Sequence, residues 1–236
     1  MNRVAAPSPK TLEKSIAACI ANGARLLDDA VTLEFVEPPS SRLYLILIAQ
    51  EEFAKAFMLR LVAMGIFPLS RPILRAINDH TCKQLVGMLM DYMIMHWNEL
   101  EELHRMIDED LDMGEDHFPF EIASALDLLR YEKIARWESG NGIYVGTAKP
   151  NPAALKIAGG EKDRRKQDAL YVRINPDGSV KSTPSIVSDD EVSEENERAG
   201  RYLCFVKDAM TGGPATHRQE KTMAALRLLF THHPPV

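Results

Sequence analysis

Cysteine is scarce in this chain of 236 residues, with three copies at Cys19, Cys82 and Cys204. They are too few and too scattered for a disulfide framework, and no two have the C-x-x-C spacing of a zinc site. A basic excess is also missing, since the net charge is −6 and the pI is near 5.7. Coating of nucleic acid depends on neutralising many phosphates, so this balance argues against bulk-charge binding but allows a local basic site.

Long uncharged apolar runs are absent as well. The most apolar stretch, "LYLILIAQEEFAKAFMLRLVAMGIF", meets charges at Glu51, Glu52 and Lys55 before it reaches the roughly 18 residues of a membrane span. The first residues, "MNRVAAPSPK", lack the apolar core of a secretory signal. Together with the cysteine usage, these features predict a cytoplasmic protein without membrane contact.

The chain does contain enough apolar residues for a full core, since 45% of its residues are hydrophobic. Its length suits one domain. Apolar positions recur at helical intervals, which predicts helices over residues 8–35, 41–64, 72–112 and 121–137. Ser8 or Thr11 is the expected cap of the first helix, and a kink could interrupt the third. The second is apolar on nearly every side and is predicted to be the buried centre of the bundle.

The composition changes after residue 138. Residues 139–187 are rich in Gly, Pro and charge, which predicts an irregular excursion, and "ALYVRINPDGSVKSTP" within it indicates a β-hairpin. Helix is expected to return at residue 188, where Ser188 and Glu191 have capping-box spacing, and again at about 215–230. The predicted fold is one all-α domain: a four-helix core (1–138), the excursion with its hairpin, and C-terminal helices (188–236) packed on the core.

Charges interrupt the second helix in "AQEEFAKAFML", residues 49–59. Buried charges are costly unless they are paired or functional. One explanation is an ion pair between Glu51 and Lys55, four residues apart on one helical face, that only holds the helix. The other is a buried polar centre formed by Glu51, Glu52 and Lys55. The spacing leaves both explanations open.

An R-x4-H pattern stands in "RAINDH", where Arg75 and His80 have Asn78, Asp79 and Lys83 beside them. RNA cleavage by the internal 2′-hydroxyl needs a proton acceptor, a proton donor and positive charge on the phosphate. Histidine and arginine supply all of these without a metal. One histidine cannot perform both proton transfers at once, so two protomers would share the work.

Geometry and chance both weaken this pattern. Residues five apart on one α-helix lie about 140° apart, so Arg75 would have to lie at a distorted helix start or bend round toward His80. The alternative is a first-turn arginine and a surface histidine. The pattern is also loose, because Arg227 and His232 repeat it.

Two further clusters carry candidate chemistry. Glu101 and His104 have the Glu-x-x-His spacing of di-iron bundles, but the sequence has no second copy. That absence favours a solvated acidic face and predicts neither metal nor cofactor. The densest basic cluster, "EKDRRK", is either a solvated loop or a set of RNA contacts made by Lys162, Arg164, Arg165 and Lys166.

The order of four segments resembles the AbiV family of bacterial abortive-infection proteins, which belongs to the HEPN superfamily. They are "NGARLLDDAVTLEF", "LIAQEEFAKAFML", "RAINDHTCK" and "ALYVRINPDGSVKSTP" with the acidic helix after it. The resemblance runs from about residue 12 to about residue 210. The "EE-x-x-K" helix and the "ALYV" segment are its more specific parts.

The resemblance implies a HEPN-like bundle that acts as a homodimer. HEPN ribonucleases use the Arg and His of R-x4-H in a cleft between two protomers, without metal, and these roles fall on Arg75 and His80. The polar residues expected to support them are Glu51, Glu52, Lys55, Asn78 and Lys83. The implied function is a toxin-like endoribonuclease of phage defence, with a phage or host protein as activator or inhibitor. The competing class is a non-catalytic module that docks such a protein through the excursion after residue 138.

Overall fold

The computed structural model describes residues 7–66, 68–95, 124–125, 128–134, 136–137 and 150–208. The first four helices are α1 (Pro9–Thr32), α2 (Ser40–Ala63), α3 (Arg71–Asn78) and α4 (His80–Met95). A π-helical segment, Leu128–Ile134, lies within the predicted fourth helix. Then come α5 (Pro152–Ala158), α6 (Glu161–Asp168), β1 (Arg173–Ile174), β2 (Val180–Ser182), a 3-10 turn (Pro184–Ile186) and α7 (Asp189–Asp208).

Helix α1 begins directly after its N-cap residue, Ser8, which has an extended backbone. The Ser8 hydroxyl accepts a hydrogen bond from the backbone N–H of Thr11 at 3.1 Å, and Pro9 occupies the first helical position. Of the two residues that the sequence offered as caps, Ser8 and Thr11, the cap is therefore Ser8. An apolar stripe of α1 packs against α2, and its buried members are Leu12, Ile16, Ile20, Leu26 and Ala30.

Helix α2 is the centre of the bundle, as its apolar sequence predicts. Buried side chains lie over most of its circumference, including Leu43, Ile46, Phe53 and Met58, while one face with Ile48, Glu52 and Lys55 is only partly buried. The helix contacts α1, α4 and α7. Helix α7 also contacts α1 and α4. A helix that follows the excursion thus adds to the packing around α2, and Glu51 in the middle of α2 is shielded from water, its side chain being 4% exposed.

The segment predicted as a third helix is broken at one residue. Asp79 has an extended backbone (φ −79°, ψ 129°) that separates α3 from α4. Its N–H donates to the carbonyl of Arg75, and its carboxylate accepts from the N–H of Cys82 at 2.9 Å. Asp79 thus ends one helix and caps the next, and it places Arg75 and His80 on two different helices.

The excursion is more ordered than its composition suggests. Asn151 caps α5 by accepting from the N–H groups of Ala153 and Ala154, Pro152 starts the helix, and Gly160 at φ 78° turns the chain into α6. These are ordinary helix start and stop signals. The prediction of an irregular segment was wrong for residues 152–168, because it relied on the charge and glycine content and gave these helix signals too little weight.

The predicted hairpin is present but short. Strands β1 and β2 pair antiparallel, with Arg173 opposite Ser182 and Ile174 opposite Val180. Gly178, at φ 85°, closes the turn by donating to the carbonyl of Asn175. The fold is therefore an all-α bundle with a small hairpin, as predicted. None of the described helices has the length and apolar character needed to cross a membrane. The helix predicted at about 215–230 lies outside the described residues.

Candidate active site

A buried carboxylate, Glu51, is the point at which three helices meet. Its Oε2 lies 2.5 Å from Nδ1 of His80 and 2.9 Å from Nζ of Lys83, both in the first turn of α4. Its Oε1 lies 2.8 Å from Nζ of Lys166, on α6, and accepts from the side-chain amide of Gln84 at 3.2 Å. We call these five residues the Glu51 cluster. The helix start at His80 matters here, because it turns the first side chains of α4 toward α2.

The charges of the cluster are enclosed and balanced. The side chains of Glu51, Lys83 and Lys166 are 4%, 6% and 5% exposed. Burial raises the pKa of the Glu51 carboxyl, but Lys83 and Lys166 outweigh this effect, so its pKa lies below the usual range. Burial lowers the pKa of Lys166, but hydrogen bonds to Glu51 and Asp163 outweigh it and raise that pKa. Both groups are therefore charged at neutral pH.

His80 is the accessible member of the Glu51 cluster. Its side chain is 51% exposed although Nδ1 faces the buried carboxylate. A carboxylate at Nδ1 holds the imidazole ring in one orientation and stabilises the proton on that nitrogen. The ring can then exchange a proton through its other nitrogen with a molecule bound at the surface.

Arg75 lies in the last turn of α3, on the other side of the Asp79 break. Its guanidinium is 4.7 Å from the ring centroid of Trp137, and the residue is exposed. Within the described part of the chain, no hydrogen bond or ion pair joins Arg75 to His80. Arg75 and His80 lie on two different helices, so the separation of about 140° expected for residues five apart on one α-helix does not apply to them.

The other polar residues expected to support the site do not enter the Glu51 cluster. Lys55 pairs with Glu52, its Nζ lying 2.5 Å from Oε1, so the proposed Glu51–Lys55 pair is wrong. Asn78 is exposed and donates its side-chain amide to the carbonyl of Leu74 at 2.8 Å. Of the supporting set, Glu51 and Lys83 lie at His80.

The basic cluster "EKDRRK" forms α6 rather than a solvated loop, and its residues face different ways. Lys166 enters the Glu51 cluster, and Arg165 pairs with Glu191 on α7. Lys162 faces Glu195 on α7, and burial lowers its pKa despite that carboxylate. Arg164 is exposed and donates to the carbonyl of Gly159. Arg164 is thus the member of the four that is open to a surface ligand.

Comparison with known families agrees with the order of the segments. The family model HEPN_AbiV, described as AbiV, matches residues 11–203. The chain belongs to the AbiV family. Searches of curated proteins and of solved structures found no match. Membership indicates an abortive-infection function of the HEPN type, and the match spans Glu51, Arg75, His80 and Lys166.

Three donors of this AbiV-family chain lie close enough together to be considered as metal ligands. Atoms of Glu51, His80 and Asp163 lie within 4.8 Å of one another. The ammonium of Lys166 already lies 2.8 Å from Glu51 Oε1, 2.9 Å from His80 Nδ1 and 2.9 Å from Asp163 Oδ1. A metal ion bound by all three donors would have to displace this buried cation.

Cys82 is next to the site but is not a candidate nucleophile. Its side chain is fully buried, and burial together with the neighbouring Asp79 carboxylate raises the pKa of the thiol. The di-iron alternative at Glu101 and His104 and the second R-x4-H at Arg227 and His232 lie outside the described residues.

Sequence reasoning named Lys166 as a candidate RNA contact but not as a neighbour of Glu51 and His80, and it missed Gln84. The signal for Lys166 was the helical spacing of Asp163 and Lys166 after a Gly-Gly break, which places both side chains on one face of a short helix. Nothing local indicates which neighbour that face contacts. Gln84 follows Lys83 on α4 and carries no motif that would have singled it out.

Proposed function

We propose that this AbiV-family protein is a metal-independent endoribonuclease of phage defence that acts as a homodimer in the cytoplasm. The observation that carries the proposal is the contact between Nδ1 of His80 and the buried carboxylate of Glu51, on a histidine whose ring is half exposed. A carboxylate-oriented imidazole at a surface is the arrangement expected of a general acid or base.

The reaction needs two histidines with opposite roles. One His80, neutral and with Nδ1–H directed at Glu51, takes the proton of the RNA 2′-hydroxyl through its other nitrogen. The 2′-oxygen attacks the phosphorus, and the bond to the 5′-oxygen breaks. The protonated His80 of the partner subunit gives its proton to that leaving oxygen. The products are a 2′,3′-cyclic phosphate and a 5′-hydroxyl end.

Arg75 supplies the positive charge in this scheme. A guanidinium can hold two phosphate oxygens at once and stays charged at any relevant pH. Because the residue is exposed, its guanidinium can leave the Trp137 ring and turn toward a bound strand. Arg164, the exposed basic residue of "EKDRRK", remains a candidate RNA contact of lesser weight, whereas Lys162, Arg165 and Lys166 face carboxylates of the fold.

Substitution of the two residues tests the proposal. His80→Ala and Arg75→Ala should abolish toxicity in cells and RNA cleavage in vitro, because general acid–base groups contribute roughly 10²- to 10⁴-fold to rate. Both proteins should stay folded, with a loss of stability of about 1 kcal/mol or less in Arg75→Ala. Cleavage should persist in EDTA and leave cyclic phosphate ends. His232→Ala serves as the control for the second R-x4-H. A fully toxic His80→Ala, or loss of activity in His232→Ala alone, would show that the wrong pair was chosen.

The oligomeric state is a separate test of the shared mechanism. Light scattering should give about twice the 26.5 kDa of one chain at micromolar concentration. A monomer under conditions where RNA is cut would contradict the use of one histidine from each protomer.

A second candidate function is a non-catalytic module that docks a phage or host protein. Apolar side chains are exposed along the hairpin and the segment before it, which favours a protein-contact surface. They are Tyr171 (62% exposed), Val172 (55%), Ile174 (57%) and Val180 (58%). A pure protein that cuts no RNA in any condition but still protects cells from phage would favour this function over the nuclease.

A further inference from the structure

Lys166 makes a contact with His80 that the two-residue pattern does not include. Its Nζ lies 2.9 Å from His80 Nδ1, the same nitrogen that lies 2.5 Å from Glu51 Oε2. The lysine comes from α6, 86 positions further along the chain. Its side chain is 5% exposed, so water cannot easily take its place.

The two neighbours of Nδ1 require opposite protonation states. A charged ammonium has three donors and no acceptor, so Lys166 makes a hydrogen bond with Nδ1 only when that nitrogen carries no proton. An ionised carboxylate only accepts, so Glu51 makes a hydrogen bond only when Nδ1 is protonated. The two hydrogen bonds therefore cannot exist at the same time, and each favours one form of the ring.

These two forms differ in what the ring can do. With Nδ1 protonated, a neutral His80 has a free lone pair on Nε2 and can take a proton from a 2′-hydroxyl. With Nδ1 unprotonated, the neutral ring carries its proton on Nε2 and has no lone pair there to accept another. The protonated ring, which the acid role needs, has a proton on Nδ1 and is repelled by the nearby ammonium. The contact with Lys166 thus opposes both catalytic forms, whereas Glu51 supports both.

We propose that Lys166 is a positioning residue that holds His80 in its unproductive tautomer, so that α6 restrains the site until Lys166 is withdrawn. The inference rests on the proposed function, because it concerns the same histidine. It gives the AbiV-family chain a means of resting inactive in a cell that its own nuclease would harm.

The attachment of α6 suits a restraint that can be released. The helix is eight residues long and carries one buried residue, Lys166 itself. Arg165 pairs with Glu191 of α7, and Lys166 also pairs with Asp163, within α6 itself. The Arg165–Glu191 pair is partly exposed and adds little to this attachment, so the buried Lys166 is the main anchor of α6. A partner that displaces α6 has to compensate for the loss of the Lys166–Glu51 contact, and the apolar core can stay folded while it does so.

The tautomer can be measured without any nuclease activity. In 15N-labelled protein at pH 9, where imidazole rings are neutral, the shifts of the two ring nitrogens report which one carries the proton. His80→Gln identifies the His80 signals. Lys166→Met should move the population toward the form with Nδ1 protonated, and Lys166→Arg should restore most of the original distribution. Unchanged nitrogen shifts in a folded Lys166→Met protein would overturn the proposal.

The same variants give a second readout in the cleavage assay. Lys166→Met should raise kcat for RNA cleavage by about tenfold, the size expected when a charge-assisted hydrogen bond that opposes the active form is lost. Lys156→Met, an equal loss of charge at an exposed lysine of α5, is the matched control and should leave kcat unchanged. A tautomer shift without a rise in kcat, or a fall in kcat, would overturn the restraining role.

The two proposals fail in different ways. If the wild-type protein and Lys166→Met both cut no RNA, the nuclease function falls and the restraint falls with it, even where the tautomer moves. If the wild-type protein cuts RNA but Lys166→Met changes neither the tautomer population nor kcat, the nuclease function stands and only the restraint by Lys166 is wrong.

Discussion

Oε2 of Glu51 lies 2.5 Å from Nδ1 of His80, although 29 positions separate the two residues along the chain. The contact joins the buried middle of α2 to the first residue of α4. Because α2 is enclosed by α1, α4 and α7, this carboxylate has lost its water and depends on lysines from α4 and α6 for its charge balance. The stability of the bundle and the orientation of His80 therefore share one residue.

The first prediction concerns the free energy of unfolding. Glu51→Gln removes the carboxylate shared by the buried Lys83 and Lys166 and leaves Lys166 with Asp163 alone, and removal of one partner from a buried ion pair costs about 3–5 kcal/mol. Glu52→Gln, the neighbouring position, breaks only the less enclosed pair with Lys55 and should cost about 1 kcal/mol or less. Urea unfolding of both variants measures the difference. Equal losses would show that the Glu51 cluster is not a buried charge centre.

The second prediction is a loss of stability in acid. Burial raises the pKa of Glu51, but Lys83 and Lys166 outweigh it, so the folded pKa lies below the unfolded one. Such a group contributes stability that is fully present above the unfolded pKa and is lost as pH falls through the folded pKa. The urea midpoint should therefore stay level near neutral pH and fall below about pH 4.3, the ordinary glutamate value.

A matched variant separates this effect from general acid unfolding. Glu195, on α7, also has a lowered pKa, because nearby cations outweigh the effect of burial. Glu51→Gln and Glu195→Gln should each flatten the decline below pH 4.3, whereas Glu161→Gln, an exposed residue of α6, should not. A decline that is equally steep in all three variants would contradict the assignment to buried carboxylates.

Much of the fold could be predicted because its signals are local. The cap at Ser8, the apolar circumference of α2 and the turn at Gly178 each depend on residues that are neighbours in the chain. The candidate site could be predicted only in part. The R-x4-H pattern pointed to Arg75 and His80, but the sequence of α2 does not indicate which residues of other helices pair with Glu51.

The reason is that the missing information is tertiary. Glu51 has Lys55 one turn away, so a single sequence allows that local pair but names no distant partner. In the fold, α4 and α6 bring Lys83 and Lys166 closer to the carboxylate, and Lys55 turns to Glu52 instead. Helix α6 itself is too short to be stable alone, so its formation depends on packing that no local pattern reports.

The third prediction concerns the residue that separates α3 from α4. Asp79→Ala removes the carboxylate that accepts from the N–H of Cys82, a cap whose loss typically costs about 1 kcal/mol. Asp79→Asn keeps an acceptor oxygen and should retain most of that stability. Because His80 is the next residue, RNA cleavage by Asp79→Ala should fall further than its stability predicts. Thermal melts and initial rates on the same samples measure both, and equal activity in Asp79→Ala and the wild type would contradict this coupling.

The last prediction uses the contact between Arg75 and Trp137, whose ring centroid lies 4.7 Å from the guanidinium carbon. The chain has two tryptophans, so a Trp97→Phe background leaves Trp137 as the sole indole reporter. Arg75→Ala in that background should change the emission of Trp137 and cost about 0.5–1 kcal/mol, the size of an exposed cation–π contact.

If Arg75 leaves the indole to hold a phosphate, an RNA made uncleavable by a 2′-deoxy nucleotide should produce a similar emission change with Arg75 present. The same RNA should produce none in Arg75→Ala. An equal response in both proteins would mean that the RNA acts on Trp137 directly, and Arg75 would then lose its place as the phosphate ligand.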